Sequence, residues 1–201
     1  MYGPQGWWPV NGKYNKGNYS IPRNSEERFE ICCGAILTQN TSWRQAAKAV
    51  ESLRKLKLLS PKAILAAKEK RIAAAIKPAG YFNQKAKKLR AFAAFCYSLK
   101  GKPTREELLS VWGIGKETAD SILLYAYKVP TFVVDAYTKR ILLNLKLIKK
   151  DASYEEIKEF FEKSVKKDFK IYNEYHALLV EHAKRHYRKK EDYKKDLLLS
   201  L

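Results

Sequence analysis

The chain has 201 residues, 46% of them hydrophobic, and carries 40 Lys and Arg against 21 Asp and Glu, a net charge of +19 with a pI of about 9.7. That length and apolar share support one substantial core or two small ones sharing an interface, and exclude a disordered tail. The basic balance predicts a polyanionic partner, nucleic acid first. With no uninterrupted apolar run near the roughly 20 residues of a membrane helix and no charged-then-apolar leader, a cytoplasmic protein away from membranes is expected.

In chain order, Trp7-Trp8-Pro9 comes first, and almost everything after it reads as helix. Apolar residues recur at helical spacing at Val50, Leu53, Leu56 and Leu59, at Ile64, Ile72 and Ile76, and at Ile157, Phe160, Phe161 and Val165. No internal repeat or low-complexity linker interrupts them. The three cysteines, Cys32, Cys33 and Cys96, spell neither a Cys-x-x-Cys zinc pattern nor a disulfide framework, and read as buried apolar fillers. The end of the chain is heavily basic, with Lys184-Arg185-His186-Tyr187-Arg188-Lys189-Lys190 placed either along a nucleic-acid backbone or in water.

The most informative stretch runs from 104 to 135. Thr104-Arg105-Glu106-Glu107 has capping-box spacing after Pro103, which predicts a short helix from about Arg105 to Val111. Gly113-Ile114-Gly115 then breaks the helical pattern, and Lys116-Glu117-Thr118 starts a new helix. Helix, tight hairpin, helix is the result, with backbone N–H groups exposed where a phosphate can reach them. Two glycines so spaced also turn corners between packed helices without binding anything. Beyond the second helix, Val133-Val134 leads to Asp135, which stands where it can cap a helix beginning near Ala136.

This order of Gly-hydrophobic-Gly hairpin, helix, Pro130-containing connection and apolar run ending in Asp resembles the helix-hairpin-helix DNA glycosylases of the endonuclease III superfamily. Two further segments are similar: Gly34-Ala35-Ile36-Leu37-Thr38-Gln39-Asn40-Thr41, and Gly80-Tyr81-Phe82-Asn83-Gln84-Lys85-Ala86-Lys87-Lys88-Leu89. With Trp7-Trp8-Pro9 the match spans roughly Trp7 to Leu145. The resemblance implies an all-α fold of two helical domains, one of residues 27–129 containing the hairpin, the other of 1–26 plus 130–201, with the active-site cleft between them.

It further implies a catalytic role for Asp135. Breaking the bond between base and deoxyribose builds positive charge on the sugar, which a fixed carboxylate stabilises while orienting or deprotonating water. Gln39 would fill the space left by the extruded base. Gly113, Ile114, Gly115, Lys116 and Thr118 would hold the DNA backbone, and hairpin carbonyls could take a monovalent cation. Members that also cut the strand carry a nucleophilic Lys where this chain has Glu117, so the implied enzyme is monofunctional. Lys116 next to it is rotated about 100° away. Glu117 itself is either a pocket residue or a polar residue favoured by the helix dipole.

Within the superfamily, the 3-methyladenine branch is nearest, since it shares the Gly-Ile-Gly-Lys-Glu-(Ser/Thr)-Ala-Asp hairpin. Ala35 stands where adenine-specific relatives have an acid, and an alkylated purine, already cationic, needs none. Trp7, Trp8, Pro9 and Trp43 would line a pocket in which cation–π contact with the damaged base is worth about 1–2 kcal/mol. Adjacent tryptophans do not easily face one pocket, so core packing is the competing role for each. Many relatives hold an iron–sulfur cluster on four C-terminal cysteines; this chain has none there, and no cofactor is expected. The implied partner is damaged double-stranded DNA, bound by a monomer. A thymine or uracil mismatch glycosylase and a non-enzymatic hairpin module that only binds duplex are the competing readings.

Overall fold

The computed structural model describes residues 2–187; the basic run beyond Tyr187 lies outside them. The described residues form an all-α fold, with one isolated bridge between Val10 and Lys13. The helices are α1 Ser25–Leu37, α2 Trp43–Lys55, α3 Pro61–Ala66, α4 Glu69–Ala75, α5 Phe82–Ser98, α6 Arg105–Ser110, α7 Lys116–Ser121, α8 Ala136–Asn144, α9 Tyr154–Ser164 and α10 Phe169–His186. α7 runs on without a break into a π-helical turn, Ile122–Ala126. None of the helices is long and apolar enough to cross a membrane.

α1 is the central element. Phe29, Ile31, Cys32, Cys33, Ile36 and Leu37 are all buried, so the helix is apolar around most of its circumference, as a helix enclosed by others must be. It packs on α2, α5 and the π turn, while α5 in turn carries α3 and α4. At its C-terminal end the buried Lys85 donates to the carbonyls of Leu37 at 2.9 Å and Ala79 at 2.8 Å. A cation there complements the helix dipole and satisfies carbonyls that no water reaches. Burial and then the neighbouring Lys88 lower its pKa to about 8.

Asp120 ties the second half together. Fully buried on α7, it accepts from Arg105 through both oxygens (2.9 and 3.2 Å), from Lys158 at 3.0 Å, from Tyr154 at 2.8 Å and from Thr131 at 3.2 Å. Helices α6, α7 and α9 and the 130–134 connection are thereby pinned around one carboxylate. The N-terminal segment lies along α10: the Gln5 amide donates to Glu174 at 2.8 Å and Asn173 donates to the Trp7 carbonyl at 2.9 Å.

Two positions depart from the helical spacing. Leu56, expected inward with Val50 and Leu53, is exposed, because α2 stops at Lys55 and Lys57 takes a left-handed φ of 55°. The Leu58 amide then bonds back to the Leu53 carbonyl at 2.8 Å, so Leu58 enters the core in its place. In α9, Phe161 faces the core and stacks on Phe132 at 4.0 Å between centroids, leaving Phe160 partly exposed.

Candidate active site

The hairpin forms as its sequence predicts. Thr104 and Glu107 exchange both bonds of a capping box at the start of α6, which ends at Ser110. Gly113 has φ +84°, which glycine adopts without strain, and a Cβ there would also displace the Lys88 side chain, 2.5 Å away. Ile114 is buried and anchors the loop in the core, leaving only its backbone for contacts outside. Gly115 caps α7.

The other residues expected at the DNA backbone are placed less simply. Lys116 is half-exposed and pairs with Glu155 of α9 at 3.1 Å. Thr118 is buried on the inner side of α7, and its hydroxyl accepts from Gln39 Nε2 at 3.0 Å. It is therefore not presented to a phosphate in this conformation, because the first turn of α7 faces α1. Gln39, the expected duplex wedge, is held at the hairpin: Nε2 also donates to the Gly113 carbonyl at 2.9 Å, and Oε1 accepts from Lys88 at 2.5 Å. That leaves the Gly113 carbonyl, a candidate cation ligand, already engaged.

Asp135 is the N-cap of α8. Its Oδ1 accepts from the Thr138 amide at 2.7 Å and from the Thr138 hydroxyl at 2.9 Å. Oδ2 makes no hydrogen bond among the described residues and has His176 Nε2 3.8 Å away. Capping thus uses one oxygen and leaves the other for chemistry, so the structural role does not compete with a catalytic one. Glu117, on the first turn of α7, is near enough to Asp135 to feel its charge. Water reaches it, yet protein flanks it on most sides; thin hydration and then the Asp135 charge push its pKa up to about 7.

The tryptophans divide their duties. Trp8 is buried, edge-on to Trp43 at 5.3 Å and to Tyr125 at 5.2 Å, with its indole nitrogen where a Cβ on Gly34 would come within 2.8 Å. It and the buried Pro9 are wall rather than contact surface. Trp7 is only partly buried, lies 5.9 Å from His176, and has the Lys184 ammonium over its face at 5.5 Å. Trp43, at the start of α2, is also partly buried.

Two residues of the site carry no motif in the sequence. His176, buried on α10, has Nδ1 2.6 Å from the Tyr125 hydroxyl, and Tyr125 sits in the π turn that follows α7. Such turns re-aim side chains that a regular helix would place elsewhere. Only an unexplained π-prone apolar run, Ile122 to Ala126, could have marked the position.

The cysteines do not fit an iron–sulfur cluster. Cys32 and Cys33 are adjacent and buried in α1 with thiols pushed well above their usual pKa by burial, and Cys96 on α5 is pushed to about 12. Three thiols held protonated cannot supply four thiolate ligands. Among the described residues no cluster of three His, Cys, Asp or Glu could hold a metal ion.

Comparison with known proteins adds an independent line. Residues 33–167 match the model of the HhH-GPD superfamily base excision DNA repair protein. A protein of Methanocaldococcus jannaschii provisionally named a DNA repair glycosylase is 46% identical, over 94% of this chain and 84% of its own length. The crystal structure of the Helicobacter pylori 3-methyladenine DNA glycosylase MagIII bound to 1,N6-ethenoadenine is 30% identical and superposes with a TM-score of 0.72, covering 80% of this chain and 86% of that one. A non-covalent endonuclease III–DNA complex shares the fold, with a TM-score of 0.76 at 20% identity over 86% and 81% of the two chains. A hairpin, a helix-capping aspartate with one free oxygen and a matching family model over two thirds of the sequence lead to one conclusion: this chain belongs to the HhH-GPD superfamily of base excision DNA repair proteins, as a DNA glycosylase.

Proposed function

We propose that this glycosylase binds damaged duplex DNA, flips out alkylated, cationic purines such as 3-methyladenine, and hydrolyses the N-glycosidic bond without cutting the strand. The carrying observation is Asp135, whose Oδ1 is fixed by Thr138 while Oδ2 is left without a hydrogen bond among the described residues. A carboxylate so held puts negative charge where the sugar becomes positive as the base departs, at no cost of reorganisation. A cationic base is already a good leaving group, and it pairs poorly, which lowers the cost of flipping.

Trp7 supports the choice of substrate, since its face already takes a cation from Lys184, as does the likeness to MagIII at 30% identity. Hydrolysis rather than strand cleavage is supported by Glu117 standing where an attacking amine would be needed. No step in this scheme requires a cofactor. Gln39 would leave Gly113 and Thr118 to enter the duplex, and Lys88, which it now holds, would then be released toward phosphates.

The test is release of free base from methylated DNA by wild type and Asp135→Asn, with borohydride trapping and a thymine- and uracil-mismatch duplex alongside. Release of 3-methyladenine by wild type alone, with no trapped adduct, is the expected result. Excision only from the mismatch duplex would replace the substrate, a trapped adduct would overturn hydrolysis, and no release from any duplex would leave a DNA-binding module.

A further inference from the structure

We propose that His176 is a second catalytic residue: its Nε2–H and Asp135 Oδ2 together seat the water that attacks the sugar, with Tyr125 as the positioning residue that fixes the imidazole. The proposal rests on the hydrolytic reading above. His176 is 4% exposed, and its Nε2 has no hydrogen-bond partner among the described residues, although buried donors are nearly always served. That atom points at the one oxygen of Asp135 that capping leaves free, 3.8 Å away. The gap is too long for a direct hydrogen bond, yet within the roughly 5.6 Å over which one water touches two groups once the side chains that seal Nε2 give way.

Tyr125 holds the other ring nitrogen. Burial, then the charges of Asp135 and Glu174, raise its phenol well above the usual range, so it remains a donor. With the Asp135 carboxylate oxygen facing Nε2, the tautomer with its hydrogen on Nε2 is the favoured one, and Nδ1 then accepts from the Tyr125 O–H at 2.6 Å. Burial keeps the imidazole neutral by lowering its pKa, against the opposing pull of Asp135. Trp7, edge-on at 5.9 Å, and Phe132 at 6.5 Å hold the ring from its sides.

In the step this serves, the water accepts from Nε2–H and donates one hydrogen to Oδ2. Its oxygen forms the bond to C1′ as the C1′–N bond breaks, the electron pair leaves with the base, and the water proton passes to Asp135. For a cationic purine the base departs neutral. His176 neither gains nor loses a proton.

Single-turnover release of 3-methyladenine is measured for wild type, His176→Phe, His176→Gln, Tyr125→Phe and Asp135→Asn, together with affinity for DNA bearing an abasic site and thermal melting. His176→Phe keeps the bulk and removes the donor, and is expected to slow the step about 10²-fold with affinity within threefold. His176→Gln, which restores an N–H donor, should recover part of that loss, and Tyr125→Phe should slow the step about tenfold. A His176→Phe rate within threefold of wild type, or equal loss of rate, affinity and melting temperature in both His176 variants, would overturn the proposal. If Asp135→Asn abolishes release in that case, only the role of His176 fails; if Asp135→Asn is also as active as wild type, the hydrolytic reading fails with it.

Discussion

Asp120 and Asp135 are the same residue type, one on α7 and one at the entry to α8, and the structure uses them in opposite ways. Asp120 is fully buried and saturated by Arg105, Lys158, Tyr154 and Thr131 on both oxygens. Asp135 is partly open, with one oxygen committed to Thr138 and the other unserved. Saturation makes a carboxylate a structural rivet, since nothing remains to meet a substrate; an unserved oxygen on an immobilised carboxylate is what stabilising charge in a transition state requires.

Exchange of Asp for Asn at the two positions should break the comparison apart. Asn caps a helix as well as Asp does, so Asp135→Asn should lower single-turnover release about 10²–10⁴-fold with melting nearly unchanged. A fall in melting temperature that accounts for the lost activity would make Asp135 structural too. Asp120→Asn should do the reverse, leaving Arg105 and Lys158 short of their counter-charge at a cost of about 3 kcal/mol, the low end for a broken buried pair because Arg105 keeps Glu155. Calorimetry should show that as a fall of about 6–12 °C.

Lys85→Met extends the contrast to a buried cation. It strands the Leu37 and Ala79 carbonyls and should cost about 1–3 kcal/mol in denaturant unfolding. Because the pKa of Lys85 is lowered to about 8 in the fold, the native state binds fewer protons than the unfolded chain between pH 8 and about 10.4, so its burden on stability is full below pH 8 and relieved as pH rises. Glu117 has the opposite sign. Raised to about 7, it holds its proton in the fold where the unfolded chain has released it, so stability falls from about pH 4.3 to pH 7 and levels off above. Glu117→Gln should therefore raise the melting temperature by about 1–3 °C at pH 8 and leave it unchanged at pH 4. The smallest effect belongs to Lys116→Ala: affinity for duplex should fall with salt by about one unit less in the log–log slope if the ammonium reaches a phosphate, and the exposed pair with Glu155 is too weak to hold it back.

Local signals in the chain were enough for much of this molecule. The capping box at Thr104, the glycine break at 113–115 and the Asp before Ala136 each act within a few residues, so helix ends and the position of Asp135 could be read directly. The exposed Leu56 marks where spacing alone misleads, because a left-handed residue at Lys57 resets the register that periodicity assumes.

Contacts between distant segments followed another rule. Thr118 and Gln39, expected at DNA, are bonded to each other across 79 positions, and Tyr125 and His176 meet across 51. The sequence by itself determined the helical class, the hairpin, the basic charge and the capping position of Asp135, since these depend on composition and short-range hydrogen bonding, while its candidacy as the catalytic carboxylate came from the resemblance. Only the tertiary structure decided which tryptophan is buried, which oxygen of Asp135 capping leaves free and which imidazole faces it, because these depend on how α10 and the π turn pack, and burial of one surface on another leaves no periodic trace in either segment.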